Sequence, residues 1–213
     1  MAGSVILLFT TFGFVLILNC HMAESLQALA AHDWLTGALN RRNLEDAALR
    51  MQSNCARFQL DMAMLLIDLD HFKQINDHYG HQAGDEVLRQ FADVVREKMR
   101  AGDLFGRYGG EEFCILLPAT TEAEAQVLGE RIRVAFMQRK ITYAGKVMSC
   151  TASMGLSDSI QLGYDFQALL ASADTALYHA KQQGRNQVAS YSSLNNQARD
   201  AHKNSVLDTA ELI

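Results

Sequence analysis

Residues 62–88 read MAMLLIDLDHFKQINDHYGHQAGDEVL, and this stretch decides the architecture. Its opening run, MAMLLIDL over Met62–Leu69, is apolar except for Asp68. That is the pattern of a strand buried on both faces, since a strand with one wet face alternates. Asp68 and Asp70 close the run at i and i+2, so both carboxylates project to one face at the strand's C-terminal end. From Gly84 to Met99 the apolar positions Val87, Leu88, Phe91, Val94 and Val95 recur at the spacing of one helical face.

Working outward, strands and helices interleave. Asn43 to Met51 reads as a short helix, with Leu44, Ala47, Ala48 and Met51 on one side. Leu104–Tyr108 and Glu111–Leu117 flank Gly109-Gly110, a hairpin signal, because a two-residue primed turn needs positive φ at its centre. Pro118, the only proline, closes the second of these strands. Glu122–Met137 is helical, Lys146–Leu156 strand-like, and Phe166–Gln183 helical, with Gly184 at the C-cap and a last strand over Gln187–Tyr191. A hairpin set among alternating strands and helices predicts an α/β sandwich with a mixed sheet. No internal repeat is present.

The whole chain has 213 residues, 19 Lys+Arg against 24 Asp+Glu, and a net charge of −5. That length buries an adequate core without staples. The acidic balance argues against a general nucleic-acid binder, which carries a basic stripe. One proline and 20% charged residues exclude a disordered or Pro-rich linker protein. Cys20, Cys55, Cys114 and Cys150 show no paired spacing, so neither a disulfide framework nor a zinc site is expected.

The charge is unevenly distributed. No Lys or Arg precedes Arg41, and Val5–Leu18 (VILLFTTFGFVLIL) carries no charge at all. About 20 apolar residues are needed to span a bilayer, so residues 1–20 are read as a transmembrane helix. A signal peptide fits less well without a positive n-region or a small-x-small cleavage site, and a buried core helix would need cover on every face. Nothing flanking the run orients it by the positive-inside rule. Residues 21–32 (HMAESLQALAAH) follow as a helical linker, where Met22, Leu26, Leu29 and Asp33 could seed a coiled coil or mark a simple amphipathic helix. The folded domain then covers residues 33–191, and 192–213 form a polar tail.

Several polar residues point to phosphoryl chemistry. Asp68 and Asp70 could face Glu111 or Glu112 if the hairpin lies beside their strand, making an acidic pocket next to a turn free of side chains. Mg²⁺ favours such carboxylates together with substrate phosphates, and two metals so held stabilise attacking and leaving oxygens. Each acid also has a plain reading as a solvent-facing strand end. Lys73 is a point charge suited to phosphate. Asn76 with Asp85 could read a guanine edge, the carboxylate accepting from N1–H and N2–H₂, although Asp85 taken alone reads first as a first-turn acid on a helix dipole. Lys181 and Arg185 could meet phosphates, or merely offset the macrodipole at a helix C-terminus.

The strings DWLTGALNRR (33–42), LLIDLDHFKQINDHYGHQAGDEVL (65–88), RYGGEEF (107–113), ASMGLS (152–157) and ALYHAKQQGRN (176–186), in that order, make the chain resemble the GGDEF-domain family of diguanylate cyclases over residues 33–191. Glu111 stands where the name motif has Asp, giving the GGEEF form, and Ala38 replaces the usual Leu of the first string. The resemblance implies a ferredoxin-like palm with a mixed central sheet, similar to nucleotidyl cyclases, and the condensation of two GTP into cyclic di-GMP with release of two pyrophosphates. It implies that Asp68 and Glu111 ligate Mg²⁺ with the Leu69 carbonyl, two ions per active half-site, Mn²⁺ substituting. Glu112 would position or activate the attacking 3′-hydroxyl. Gly109 and Gly110 would lie against the triphosphate, Phe72, Lys73, Lys181 and Arg185 would contact phosphates, and Asn76 and Asp85 would select guanine.

Catalysis would require a homodimer with two half-sites face to face. Arg100 and Asp103 match the family's RxxD product-inhibition site, with Arg131 as a secondary partner. Because GTP is cytosolic, the resemblance orients the N-terminal helix as a single pass of the inner membrane with the catalytic domain in the cytoplasm, and no nucleic acid is expected as a partner. The alternative within the family is a catalytically inactive cyclic di-GMP receptor or dimerisation module, whose motif core is usually degenerate.

Overall fold

The computed structural model describes residues 12–14 and 31–195. The elements in chain order are β1 (Leu39–Asn40), α1 (Arg41–Phe58), β2 (Met62–Leu69), α2 (Phe72–Tyr79), α3 (His81–Lys98), β3 (Leu104–Arg107), β4 (Glu112–Pro118), α4 (Glu122–Gln138), β5 (Ile141–Tyr143), β6 (Lys146–Met148), β7 (Ala152–Asp158), α5 (Ser159–Leu162), α6 (Phe166–Gln182) and β8 (Val188–Ser190).

Six strands form one sheet in the order β1-β3-β4-β2-β7-β8, and β5-β6 form a separate hairpin. The sheet is mixed: β1–β3 and β7–β8 are parallel, while β3–β4, β4–β2 and β2–β7 are antiparallel. All eight residues of β2 are buried, as the apolar run requires. Ala63, Leu65, Ile67 and Leu69 face one core with Val87, Phe91, Ile132 and Phe136 of α3 and α4. Met62, Met64 and Leu66 face the opposite core with Leu44 and Ala48 of α1 and Leu169, Ala173 and Leu177 of α6. Each large side chain so buried contributes roughly 1.5–3 kcal/mol of transfer free energy. By this alternation Asp68 falls on the α6 face. There α6 comes so close that a Cβ on Gly155 would sit 1.9 Å from the Ala173 carbonyl oxygen.

The structure corrects several expectations. No helix among the described residues is long and apolar enough to cross a membrane. This overturns the transmembrane helix over 1–20 and, with it, the single-pass inner-membrane placement. The 18-residue helices α1 and α3 are amphipathic, with charged residues such as Arg41, Glu45, Arg89 and Arg96 on their outer faces. Of the segment 1–20 only Phe12–Phe14 is described, and the rest lies outside the described residues, as do 21–30 of the linker and 196–213 of the tail.

Helix α1 runs on to Phe58, where Gln59 caps it in the left-handed region. FKQINDHY is itself a helix, α2, separated from α3 by Gly80 at φ +86°. Helix α3 therefore starts three residues before Gly84. The strand-like Lys146–Leu156 divides at Ser149–Thr151, because β7 pairs with β2 whereas β6 pairs only with β5. Gly109 and Gly110 do not adopt positive φ. The connection is a four-residue loop, Tyr108–Glu111, closed by the Tyr108 and Gly109 amides donating to the Glu112 carbonyl (2.8 and 3.2 Å). A Cβ at 109 would meet Glu112 Oε2 at 2.5 Å, a contact that the end of the Glu112 side chain can relieve by moving.

Candidate active site

Strand β2 lies between β4 and β7, with Asp68 opposite Glu112 on one side and Ser153 on the other. The β3–β4 loop is bound to the end of β2, because the Leu69 amide donates to the Glu111 carbonyl at 3.3 Å. The sheet thus carries Asp68 and Glu111 to one corner. Lys181, in the last turn of α6, reaches the same corner and pairs with Asp68 Oδ2 at 2.8 Å.

The electrostatics record this crowding. Burial pushes the Asp68 carboxyl above its ordinary value; Lys181 opposes the shift without cancelling it, and the positive charge of Arg185 opposes it further. The Glu111 carboxyl is raised as well, by burial first and then by the negative charge of Asp68. Two carboxylates raised by burial, Glu111 also by the charge of Asp68, beside a loop with open space at Gly110, form a donor set suited to a hard divalent cation that also binds phosphates. Among the described residues no cluster of three or more His, Cys, Asp or Glu side chains forms a cage.

The loop is held from outside by a pair that the sequence reading did not single out. Arg107 donates from Nη1 to both carboxylate oxygens of Asp33 (3.2 and 3.1 Å) and from Nε and Nη2 to the Gly110 carbonyl (3.1 and 2.6 Å). Burial would raise the Asp33 acid, but hydrogen bonds from the Thr36 hydroxyl and amide, with the Arg107 charge, hold it below the usual carboxylate range. Both residues lie inside the quoted strings, at 33 and 107. Their opposite charge was legible, but their juxtaposition across 74 residues was not.

Away from this corner, α2 and α3 carry Asn76 and Asp85. Asn76 Oδ1 is buried with no hydrogen-bond partner, and it lies where a Cβ on Gly84 would come within 1.9 Å. Asp85 is the fifth residue of α3, whose first turn holds no acid, so its reading as a first-turn dipole partner fails. The Phe72 side chain is buried, its ring 3.1 Å from that same Gly84 position, so only its main chain is available to a phosphate. Lys73 and Arg185 are exposed.

Arg100, Asp103 and Arg131 come together elsewhere, around a cleft of about 280 Å³ also lined by Lys98, Thr120 and Glu124. Arg100 donates to Asp103 from its amide (3.1 Å) and Nε (2.9 Å), and to Thr120 Oγ1 from Nη2 (2.7 Å).

Comparison with known proteins places this arrangement. The family described as "Diguanylate cyclase, GGDEF domain" matches residues 30–187. Over 173 residues the chain is 37% identical to the diguanylate cyclase DgcP of Pseudomonas aeruginosa, covering 80% of this chain and 25% of that protein. Over 172 residues it is 35% identical to the cyclic di-GMP phosphodiesterase NbdA of the same organism, covering 81% of this chain and 22% of the relative. The chain therefore spans at most a quarter of either relative's length. Among solved structures it is similar to the GGDEF domain of DgcB from Caulobacter crescentus in complex with c-di-GMP. That likeness has a TM-score of 0.73 and 31% identity, over 76% of this chain and 96% of that one.

Proposed function

The chain belongs to the GGDEF-domain family of diguanylate cyclases, and from the composition of its cleft we propose that it condenses two GTP into cyclic di-GMP with release of two pyrophosphates. The observation that supports this most is the joining of Asp68, Glu111 and Lys181 at one corner beside the Gly109-Gly110 loop, with Glu112 on the adjoining strand. Proteins of this family are generally dependent on a divalent metal. In this reading Asp68, Glu111 and the Leu69 carbonyl hold Mg²⁺, two ions per half-site with Mn²⁺ as a substitute, and the metal supplies charge neutralisation at the phosphates.

The chain's own residues do the rest. Gly110 leaves room for the triphosphate, while Lys73, Lys181, Arg185 and the Phe72 main chain bind it. Glu112 positions the 3′-hydroxyl that attacks the α-phosphate of the GTP held by a second protomer. Each 3′-oxygen forms one new bond to phosphorus as one pyrophosphate leaves, so two half-sites in a homodimer complete the ring. Asn76 and Asp85 select guanine. Arg100, Asp103 and Arg131 bind the product and inhibit. The carboxylates and the Asn76–Asp85 pair are all present, which favours an enzyme over a receptor with a degenerate core.

The test is direct. The full chain with GTP and Mg²⁺ should form cyclic di-GMP, Glu112→Ala should abolish it, and Arg100→Ala should retain synthesis while losing product inhibition. A dimeric sample that yields no product overturns the enzyme reading. Inhibition unchanged in Arg100→Ala overturns the assignment of the second cleft.

A further inference from the structure

Asp70 has no part in the chemistry above, yet it is only 3% exposed. Its carboxylate is fully engaged. Oδ2 accepts from Thr151 Oγ1 (2.7 Å) and from the Asn186 main-chain amide (3.1 Å), and Oδ1 accepts from Ser153 Oγ (2.7 Å). Ser153 Oγ also accepts from the Asn186 amide at 3.1 Å. The end of β2 and the start of β7 thus grip one peptide N–H in the segment that follows α6.

That segment is conformationally unusual. Gly184, Arg185 and Asn186 have φ of +109°, +64° and +45° in succession. Two consecutive non-glycine residues in the left-handed region cost free energy and persist only where the surroundings enforce them. Three further anchors are visible. The Arg185 amide donates to the Ala180 carbonyl at 3.0 Å, Arg133 donates to Asn186 Oδ1 at 2.9 Å, and the Met154 amide donates to the Gln187 carbonyl at 2.9 Å. Two of these contacts are charge-assisted, the stronger class of hydrogen bond: Arg133 holds the Asn186 side chain, and Asp70 holds the Asn186 main chain, next to Arg185.

We propose that Asp70 is a positioning residue. With Ser153 and Thr151 it locks the left-handed turn at 184–186 and so aims the Arg185 guanidinium at the nucleotide phosphates. This rests on the reading of Arg185 as a phosphate contact. Asp68 and Asp70, two residues apart on one face, therefore divide the labour: the first faces the substrate, the second fixes the chain that carries a cation to it.

The experiment uses the full chain and a non-reactive GTP analogue, with guanosine as the ligand that lacks phosphates. Asp70→Asn and Ser153→Ala should each raise the Kd for the analogue by about tenfold, as loss of a charge-assisted hydrogen bond would, with guanosine binding unchanged. Amide hydrogen exchange should show protection lost at Asn186 in both variants while β2 stays protected. Because Arg185 is the route of the effect, Asp70→Asn in an Arg185→Ala background should add almost nothing. If Arg185→Ala by itself leaves analogue binding intact, the phosphate role of Arg185 is wrong and the functional reading fails at that residue. If Arg185→Ala weakens binding but Asp70→Asn and Ser153→Ala do not, or their effects add in full to that of Arg185→Ala, the positioning role is overturned. Equal weakening of guanosine would mean a general loss of structure and would also overturn it.

Discussion

At the strand end of the candidate site, Asp68 meets Lys181 at 2.8 Å, and the Leu69 amide donates to the carbonyl of Glu111, the second acid. At the helix end, Asn76 Oδ1 is buried with no hydrogen-bond partner and lies against Gly84. The first end is held by central strands and balanced by an internal cation. The second is set by the packing of two helices that meet at Gly80, and it leaves a polar atom unsatisfied, which costs free energy until a partner arrives. Under the proposed function, the strand end would supply the rate and the helix end the selectivity. A satisfied charged network is ready for chemistry, whereas an unsatisfied acceptor rewards only a ligand that can complete it.

The largest expected effect lies at the strand end. Asp68→Ala should cut cyclic di-GMP synthesis by at least about a thousandfold, since a bound metal supplies several kcal/mol and each 1.36 kcal/mol is tenfold. Mn²⁺ binding followed by electron paramagnetic resonance should fall in parallel. At the helix end, Asn76→Ala or Asp85→Ala should raise KM for GTP about ten- to a hundredfold, with kcat changed far less and discrimination against ATP reduced. A collapse of kcat with KM unchanged would erase the distinction between the two ends.

The glycines sharpen the comparison further. Gly84→Ala would place its Cβ 1.9 Å from Asn76 Oδ1 and should lower unfolding stability by about 1–3 kcal/mol in urea titrations. Gly110→Ala meets nothing within 4 Å and should stay within about 0.5 kcal/mol of wild type while weakening GTP binding.

The smallest effect concerns pH. Burial raises the Asp68 acid, and burial with the neighbouring carboxylate raises Glu111, so the folded protein holds these protons more tightly than the unfolded chain. The metal-free protein should therefore lose a little stability as pH rises through their raised range and recover it on the acid side, the reverse of an acid whose folded value is depressed. Lys181→Met removes a charge that lowers the Asp68 value, so the acid limb of Mn²⁺ binding should move to higher pH. A limb that stays in place would show that Lys181 is not the internal counter-ion.

Much of the fold was readable along the chain because its signals are local. The run at Met62–Leu69, the helical periodicity of Glu122–Met137 and the strand end at Pro118 each follow from neighbours in sequence. The failures were those where tertiary contacts override local pattern. FKQINDHY is too short and polar to announce a helix, and it becomes one by packing Phe72 and Ile75 under α3. The Gly pair suggested a primed turn, but neither glycine adopts positive φ, and the loop closes through the Tyr108 and Gly109 amides on the Glu112 carbonyl. The uncharged N-terminal run suggested a membrane span, and the described helices contain none.

By itself the sequence determined which residue types sit at the strand ends and loops, because burial dictates the apolar runs and leaves polar residues only where a run stops. Which of those polar residues share a site was decided by the tertiary structure. Asp68 finds Lys181 across 113 positions, Arg107 finds Asp33 across 74, and Asp70 finds Asn186 across 116. The physical reason is that a sheet sets its neighbours by strand order and register. The order β4-β2-β7 places the end of β2 between two loops that are remote along the chain.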